Sequence, residues 1–460
     1  MRILFIFYDN ESRDNILPLG ATYVAAYVRK HGFLDIIYYC QDVYHYSEHH
    51  LYKYLQKEHF DVAALGFVAG YFQHQKIKKI CDVINAVKER PFIVLGGHGP
   101  TPVPEYFIRY AGADAVVMGE GELPFLNLVR ALADGTCLSQ VKGIAYRDGE
   151  EIRVNEREKP IKDLDEIPFP YIEPLPMEYY VKSSFLSSPL DRGMTMCANR
   201  GCIYQCNFCL RLEKGIRLRS TESIVEEIKK YVRDYGVNLI WFYDELFMIN
   251  KKRVFEVCEK ILQENLKIKY FCAGKLNTVT PEIIQIMRRS GCTAIDYGIE
   301  QFDDDALKKM NKKQTTEDIE RGIRITLENG IHPLFNIIFG NLGDTRETLQ
   351  KSLDFLHKYN DYGQIRSIRP VTPYPGSPLY YLAIEKGLLK GPEDFYEKHK
   401  NLELLTVNFT DIPDDEFHQL LFEANTEIIT KYYDHMKEVQ IDYFKKVYSG
   451  KDLAFRGLRH

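Results

Sequence analysis

Short apolar runs alternate with amphipathic helical stretches along most of this chain, and the alternation is interrupted once, by a run of prolines. In the first part, apolar runs at 3–7, 36–39, 62–68, 92–95 and 115–118 alternate with helical periodicity at 19–29, 51–57, 75–88, 104–111 and 123–133. Five strand–helix units in series predict an α/β domain with a parallel, doubly wound sheet, because successive parallel strands need crossovers that lay helices on the sheet. A hairpin signal at 144–154 turns on Asp148-Gly149, a pair suited to a type I′ turn. Pro160, Pro168, Pro170, Pro174 and Pro176 then fix an extended path. Six more strand candidates follow, at 194–197, 239–243, 270–273, 294–299, 334–339 and 365–371, with helical stretches between them. Six units are too few to close an eight-unit barrel. The expected organisation is a first sheet domain at 1–145, a hairpin and proline-rich linker at 146–190, a second domain at 191–390 and a helical tail at 391–460.

Chemistry concentrates just after the first strand of the second domain, in Cys202-Ile203-Tyr204-Gln205-Cys206-Asn207-Phe208-Cys209. Soft thiolates at C-x3-C-x2-C spacing select an iron–sulfur cluster or zinc. A closed zinc site needs four ligands. Cys197 is the nearest fourth cysteine, at an awkward spacing. Three thiolates on a four-iron cluster leave one iron open, which catalysis requires. The remaining cysteines, such as Cys40, Cys81 and Cys258, are scattered and read as buried small hydrophobes.

The triplet, with Arg200-Gly201 before it and Phe208 ahead of its last cysteine, resembles the radical S-adenosylmethionine (SAM) superfamily. That resemblance implies a partial (β/α)6 barrel and a [4Fe–4S] cluster on Cys202, Cys206 and Cys209. The open iron would chelate SAM, whose reductive cleavage gives a 5′-deoxyadenosyl radical. It also implies SAM contacts at Phe208, at Asp244 and Glu245 after the second strand, at Lys275 after the third and at Glu300 in Gly298-Ile299-Glu300. Gly340-Asn341-Leu342-Gly343-Asp344-Thr345 resembles a turn of the same superfamily, with Asp344 as a cap of the next helix. Pro373-Tyr374-Pro375-Gly376 resembles its counterpart after the sixth strand.

The first domain resembles the cobalamin-binding domain fused to many radical SAM enzymes. Pro18-Leu19-Gly20, Gly96-Gly97-His98-Gly99-Pro100-Thr101 and Gly119-Glu120-Gly121-Glu122 carry the likeness, with Gly66 and Gly70 beside the third strand. Glycines at strand ends let backbone approach a flat ligand. The contacts implied for cobalamin are Gly20, Gly66, Gly96, Gly97, His98, Gly119, Glu120 and Gly121. The first loop, residues 9–15, lacks the histidine of the methionine-synthase type, so no histidine from it would ligate cobalt.

A length of 460 residues exceeds one hydrophobic core, and a net charge of −5 shows no nucleic-acid footprint. No apolar run approaches a membrane span, and 1–7 reads as a strand rather than an export signal, so the cytoplasm is expected. The leading expectation is a cobalamin-dependent radical SAM methyltransferase acting on a small molecule, with flavodoxin or ferredoxin as electron donor. The alternatives are a radical cyclase, ring-contracting or oxidising enzyme using the same parts, and a cobalamin or cluster sensor without turnover. In the tail, helices are expected at 414–429 and 433–448, with Tyr432, Tyr433, Tyr443 and Tyr448 packed on the barrel.

Overall fold

β1 (Ile3–Phe7) is buried along its whole length, which requires a central strand covered on both faces. The computed structural model describes residues 1–11, 16–68, 71–182, 190–398 and 407–449; residues 12–15 of the first loop and Gly70 lie outside the described residues. Ile3, Phe5 and Phe7 face one core with the helices Leu19–Lys30 and Glu122–Asp134. Leu4 and Ile6 face a second core with Glu48–Lys57 and Pro104–Ala111. This is the doubly wound arrangement expected.

β2 (Ile36–Cys40), β3 (Val62–Gly66), β4 (Phe92–Gly96) and β5 (Ala115–Val117) join β1 in the parallel order β2-β1-β3-β4-β5. The order reverses between β1 and β3, and such sheets bind ligands at the carboxyl ends beside that reversal. The hairpin β6 (Ile144–Asp148) and β7 (Glu151–Val154) pairs antiparallel onto β5, so the first sheet continues past residue 145 to seven strands.

The second sheet contains β8 (Gly193–Met196), β11 (Leu239–Phe242), β12 (Lys269–Gly274), β13 (Cys292–Glu300), β14 (His332–Phe339) and β15 (Ile368–Pro370), all parallel and in sequential order. Between β8 and β11 a two-residue ribbon, β9 (Asn199–Arg200) with β10 (Arg217–Leu218), closes the base of the cysteine loop. Helices cover one face of the sheet. Ile240, Phe242, Ile295, Tyr297, Phe335 and Ile337 pack against them. Strand alternation therefore turns Trp241, Asp296 and Asn336 to the opposite face, the lumen of an open six-unit barrel.

One apolar core runs from β1 through Ile161, Leu164, Ile167 and Ile172 of the linker into the barrel. On the other face of the first sheet, Leu379, Tyr380, Phe395 and Tyr396 pack with Ile77 and Ile80. The two domains are thus joined on both sides of the first sheet.

The tail forms a short helix, Pro392–Lys398, and then one long helix, Asp414–Ser449, in place of the two expected at 414–429 and 433–448. Nothing between 429 and 433 breaks helical periodicity. Its first half buries Phe417, Leu421, Ala424 and Ile428, and Asn425 hydrogen-bonds both backbone groups of Ile368 at 2.9 Å, covering the edge strand β15. Tyr433 and Tyr448 are exposed, contrary to expectation, because the second half of the helix runs beyond the barrel core. Among the described residues, no helix is long and apolar enough to cross a membrane.

Candidate active site

The cysteine loop leaves β8 and is fixed at both ends by groups that the barrel supplies. At its start, Asp244 accepts hydrogen bonds from the Ala198 amide at 2.7 Å and the Asn199 amide at 3.0 Å, while Asn199 Nδ2 reaches its other oxygen at 3.3 Å. Both Asp244 oxygens are therefore engaged in holding the loop. Burial pushes this carboxyl up to about 7. The expected contact of its side chain with the SAM ammonium does not fit this arrangement. Gly201 sits at φ +91, where an added Cβ would strike the Gly215 carbonyl, so only glycine serves there.

Further on, loops from later strands stitch the cysteines across the mouth. The Asn207 amide donates to Met310 O at 3.0 Å, and the Asn207 and Asn341 side chains exchange two hydrogen bonds at 2.9 and 3.0 Å. Asn311 Nδ2 donates to Gln205 O at 2.6 Å, and the Leu379 amide to Asn207 O at 3.0 Å. Asn207, Asn311 and Asn341 carry no signal in the sequence beyond proximity to motifs. Asp344 does not cap the next helix, whose cap is Thr345. It accepts from the Gly340 and Asn341 amides at 2.9 Å and from Gln301 Nε2 at 2.8 Å, shaping the turn that presents Asn341.

Cys206 and Cys209 lie close enough to titrate as a pair: the neighbouring thiol, with Lys312 and Lys275, holds Cys206 below the usual thiol range, while the same neighbour and burial push Cys209 up. Two lysine ammoniums beside the thiols favour thiolate, the form that binds iron. Cys197 lies in different surroundings, beside Asp244, Arg200 and Glu227, with its sulfur 3.8 Å from Tyr243 O. It is not placed as a fourth ligand. Among the described residues, no three His, Cys, Asp or Glu side chains surround a single ion, so the triad is not a closed mononuclear site. Three thiols beside two lysine ammoniums are the kind of donor set that would hold an iron–sulfur cluster with one iron left open.

Around the triad, Lys275 Nζ lies 3.3 Å from the Tyr204 ring centroid and donates to Lys312 O. Burial, then the Lys312 charge, pulls it down to about 8. Glu300 sits at φ +68 where the β13–β14 register shifts, a conformation that costs a non-glycine residue roughly 1 kcal/mol or more. Its Oε1 pairs with Lys312 Nζ at 2.7 Å. Lys312 Nζ stands 5.7 Å from the centroid of the half-buried Phe208 ring. Glu245 projects beside the cysteine loop. The structure thus gathers Phe208, Glu245, Lys275 and Glu300 about the triad and adds Lys312.

At the carboxyl edge of the first sheet, the glycines separate into two kinds. A Cβ on Gly66 or Gly96, paired neighbours on β3 and β4, would meet nothing closer than 3.9 Å; on Gly20 it would meet nothing within 4 Å. These positions leave the space a flat ligand needs. Gly97, Gly119 and Gly121 do not. A Cβ there would lie 2.6 Å from Phe67 O, 2.6 Å from Arg157 and 2.7 Å from Val24. Their smallness serves the chain's own packing. The edge therefore fits cobalamin through Gly20, Gly66 and Gly96. Asp9, in the first loop, accepts from His45 Nδ1 at 2.8 Å. This histidine beside the loop comes from beyond β2 and is not legible in the motif.

Glu120 is committed elsewhere than expected. It pairs with Arg200 at 2.8 Å and with Arg217, while the buried Glu122 pairs with Arg200 at 2.7 Å. Both arginines belong to the ribbon under the cysteine loop, so these glutamates tie the first domain to the cluster loop. Gly376 is wedged between Pro102 of the first domain and Leu210 of the cysteine loop. The two carboxyl edges consequently face one another. His98, Tyr243 and Glu245 are reached by solvent, yet surrounding protein pulls His98 down and pushes Tyr243 and Glu245 up. These three residues come from both domains, His98 from the first and Tyr243 and Glu245 from the second.

Comparisons with known proteins agree with this geometry. Residues 196–356 match the model of the Radical SAM superfamily, and residues 9–129 that of the B12 binding domain. An uncharacterised methyltransferase of Pyrococcus horikoshii is 32% identical over 401 residues, 85% of this chain and 84% of that protein. The anaerobic magnesium-protoporphyrin IX monomethyl ester cyclase of Rubrivivax gelatinosus is 27% identical, over 83% of this chain and 69% of its own. Among solved structures, the cobalamin-dependent SAM radical enzyme OxsB superposes with a TM-score of 0.72 at 18% identity, covering 98% of this chain and 75% of that one. The radical SAM methyltransferase TsrM of Kitasatospora setae gives 0.70 at 16% identity, covering 84% and 76%.

Proposed function

The chain belongs to the radical SAM enzymes that carry an N-terminal B12-binding domain, and on that premise we propose that it transfers a methyl group to an unactivated carbon of a small molecule. Its cofactors are a [4Fe–4S] cluster, SAM and cobalamin. When bound, the cluster and SAM supply a 5′-deoxyadenosyl radical, and cobalamin supplies the methyl group. The observation that carries the reading is the tying of the cysteine loop to the carboxyl edge of the first sheet, through Arg200 and Arg217 with Glu120 and Glu122 and through Gly376 between Pro102 and Leu210, since radical and methyl donor must address one substrate atom.

The residues then take distinct parts. Cys202, Cys206 and Cys209 hold the cluster. Glu300 offers its second carboxylate oxygen to the ribose hydroxyls, with Lys312 fixing the first. Lys275 presents a cation to the SAM carboxylate, and Glu245 an acceptor to its ammonium. Gly20, Gly66 and Gly96 bed the cobalamin, with His98 at its rim and no histidine of the first loop on the cobalt. Arg200, Glu120 and Glu122 hold the two beds in register. The electron donor in this reading is a flavodoxin or ferredoxin, and the protein acts in the cytoplasm.

Anaerobic reconstitution with iron, sulfide and hydroxocobalamin, followed by reduction with SAM, tests the reading. The expected products are 5′-deoxyadenosine and S-adenosylhomocysteine. Release of 5′-deoxyadenosine alone from protein that retains cobalamin would favour the second reading, a radical cyclisation or oxidation, to which the cyclase relatives lend support. Product mass separates the two, since methylation adds one carbon.

A further inference from the structure

The barrel lumen is divided between an aromatic wall and a polar wall. On the first, Trp241 lies 5.1 Å from Phe271 and 4.7 Å from Tyr243, ring centroid to centroid. On the second, Asn336 Nδ2 donates to Asp296 Oδ1 at 2.6 Å, across adjacent strands. That bond leaves Asp296 Oδ2 and Asn336 Oδ1 as acceptors with no hydrogen bond among the described residues. Ala273, level with Asp296 on β12, is small and half-buried. Thr195, in register with Trp241 on β8, is buried and its hydroxyl has no partner among the described residues.

The charged groups facing Asp296 are Glu300 and Lys312 at the mouth and Arg369 from β15. Burial pushes Asp296 up to about 6, so it remains largely anionic at neutral pH. An anion and an amide oxygen side by side on the lumen face, with the half-buried Trp241 on the same face of the sheet, make a half-built recognition site. Their one mutual bond leaves an oxygen of each without a hydrogen bond among the described residues, whereas Asp244 and Asp344 each have both oxygens engaged.

We propose that the substrate is an amine-bearing small molecule, its protonated amino group held by Asp296 and Asn336 and its apolar body lying on Trp241 and Tyr243. This rests on the lumen being the substrate site of the enzyme proposed above, and it supplies the substrate class which that reading left open. Asp296 and Asn336 act here as specificity residues that touch the substrate.

Trp241 is the only tryptophan in the chain, so its emission reports occupancy of this lumen directly. The protein reconstituted with cluster and cobalamin is titrated, without reductant, with phenethylamine, 3-phenylpropanol and 3-phenylpropionate. The amine is expected to change Trp241 emission and to bind about tenfold or more tightly than the alcohol, as a charge-assisted hydrogen bond predicts. The carboxylate should bind still more weakly. Asp296→Asn should bring amine and alcohol within about twofold, and Asn336→Leu should weaken the amine alone. No response to the amine, or equal binding of amine and carboxylate by the native protein, overturns the proposal, and neither result requires a variant to fold. Because no SAM is cleaved in this measurement, it can fail while 5′-deoxyadenosine production succeeds, and the reverse.

Discussion

At the edge of the first sheet, what stands open to a ligand is bare backbone: Gly66 and Gly96 side by side, with Gly20 at a helix start. At the barrel mouth it is side chains: three cysteines, Lys275, Lys312 and Glu300 packed within one another's fields. A large flat cofactor is held by shape and by removal of anything that would obstruct it. A small chelated one is held by donor atoms placed individually. The two edges should therefore fail differently when altered, the first by filling space and the second by deleting donors. The salt links from Arg200 and Arg217 to Glu120 and Glu122 should couple them.

The largest effect is expected from removing the donors. Substituting Cys202, Cys206 and Cys209 together with alanine should reduce iron to background and abolish SAM cleavage, while cobalamin retention in the same preparation stays close to native. Iron determination and the absorption spectrum of the bound corrinoid read the two sites separately. Loss of both cofactors at once would break the contrast and make the sites one cooperative unit.

Filling space comes next, and it distinguishes the two kinds of glycine. Gly96→Val should leave folding nearly unchanged, because a Cβ there meets only ordinary contacts at 3.9 Å, yet cobalamin retention should fall at least tenfold. Gly97→Ala places its Cβ 2.6 Å from Phe67 O at φ +97, and should destabilise the first domain by roughly 2–3 kcal/mol. Thermal denaturation of the cofactor-free protein separates the outcomes. A stable Gly97→Ala protein that no longer binds cobalamin would return Gly97 to the ligand.

A smaller effect is expected at a single donor. Glu300→Gln keeps the shape but removes the charge that Lys312 neutralises, and SAM affinity should drop by about 1–3 kcal/mol. Equilibrium binding without reductant measures this, with cluster content as the control. Unchanged affinity would make the Glu300–Lys312 pair a brace for the strained end of β13.

The same contrast explains what is legible in the sequence. The two parallel sheets and the cysteine triad follow from alternation and spacing, since apolar periodicity and thiol chemistry are local properties, whereas the pairing of the hairpin onto β5 does not. The roles of individual carboxylates and glycines do not. Asp244 and Asp344 stand at motif positions but spend their oxygens on backbone amides, and Glu120 spends its own on arginines eighty or more residues away. Gly97 and Gly96 are adjacent in sequence, yet one packs against Phe67 and the other faces open space. Whether a residue serves the chain or a ligand depends on what lies opposite, which strand pairing and loop closure decide. Asp296, Asn336 and Trp241 give no signal of their own, because inside a barrel they read only as alternating strand residues.

The smallest expected effect concerns a carboxylate that serves the chain. Asp344 lies buried beneath the Gly340–Asn341 turn, and burial outweighs its three donors, raising it from an ordinary 3.8 to about 6. A folded-state value above the unfolded one means that the folded protein binds more protons between those two values. The associated stabilisation is complete below about pH 4 and is lost as pH rises through 6. Because the triad's far side hangs from this turn through Asn341 and Asn207, loosening at higher pH should register at the mouth rather than at the glycine edge. In cluster-loaded protein between pH 5 and 8, the rate of iron release to a chelator should rise a few-fold through pH 6, with cobalamin retention flat. Asp344→Asn, neutral at every pH, should remove the step. A step that persists in that variant would assign the titration to another group, and a parallel loss of cobalamin would mean that the glycine edge also depends on the turn.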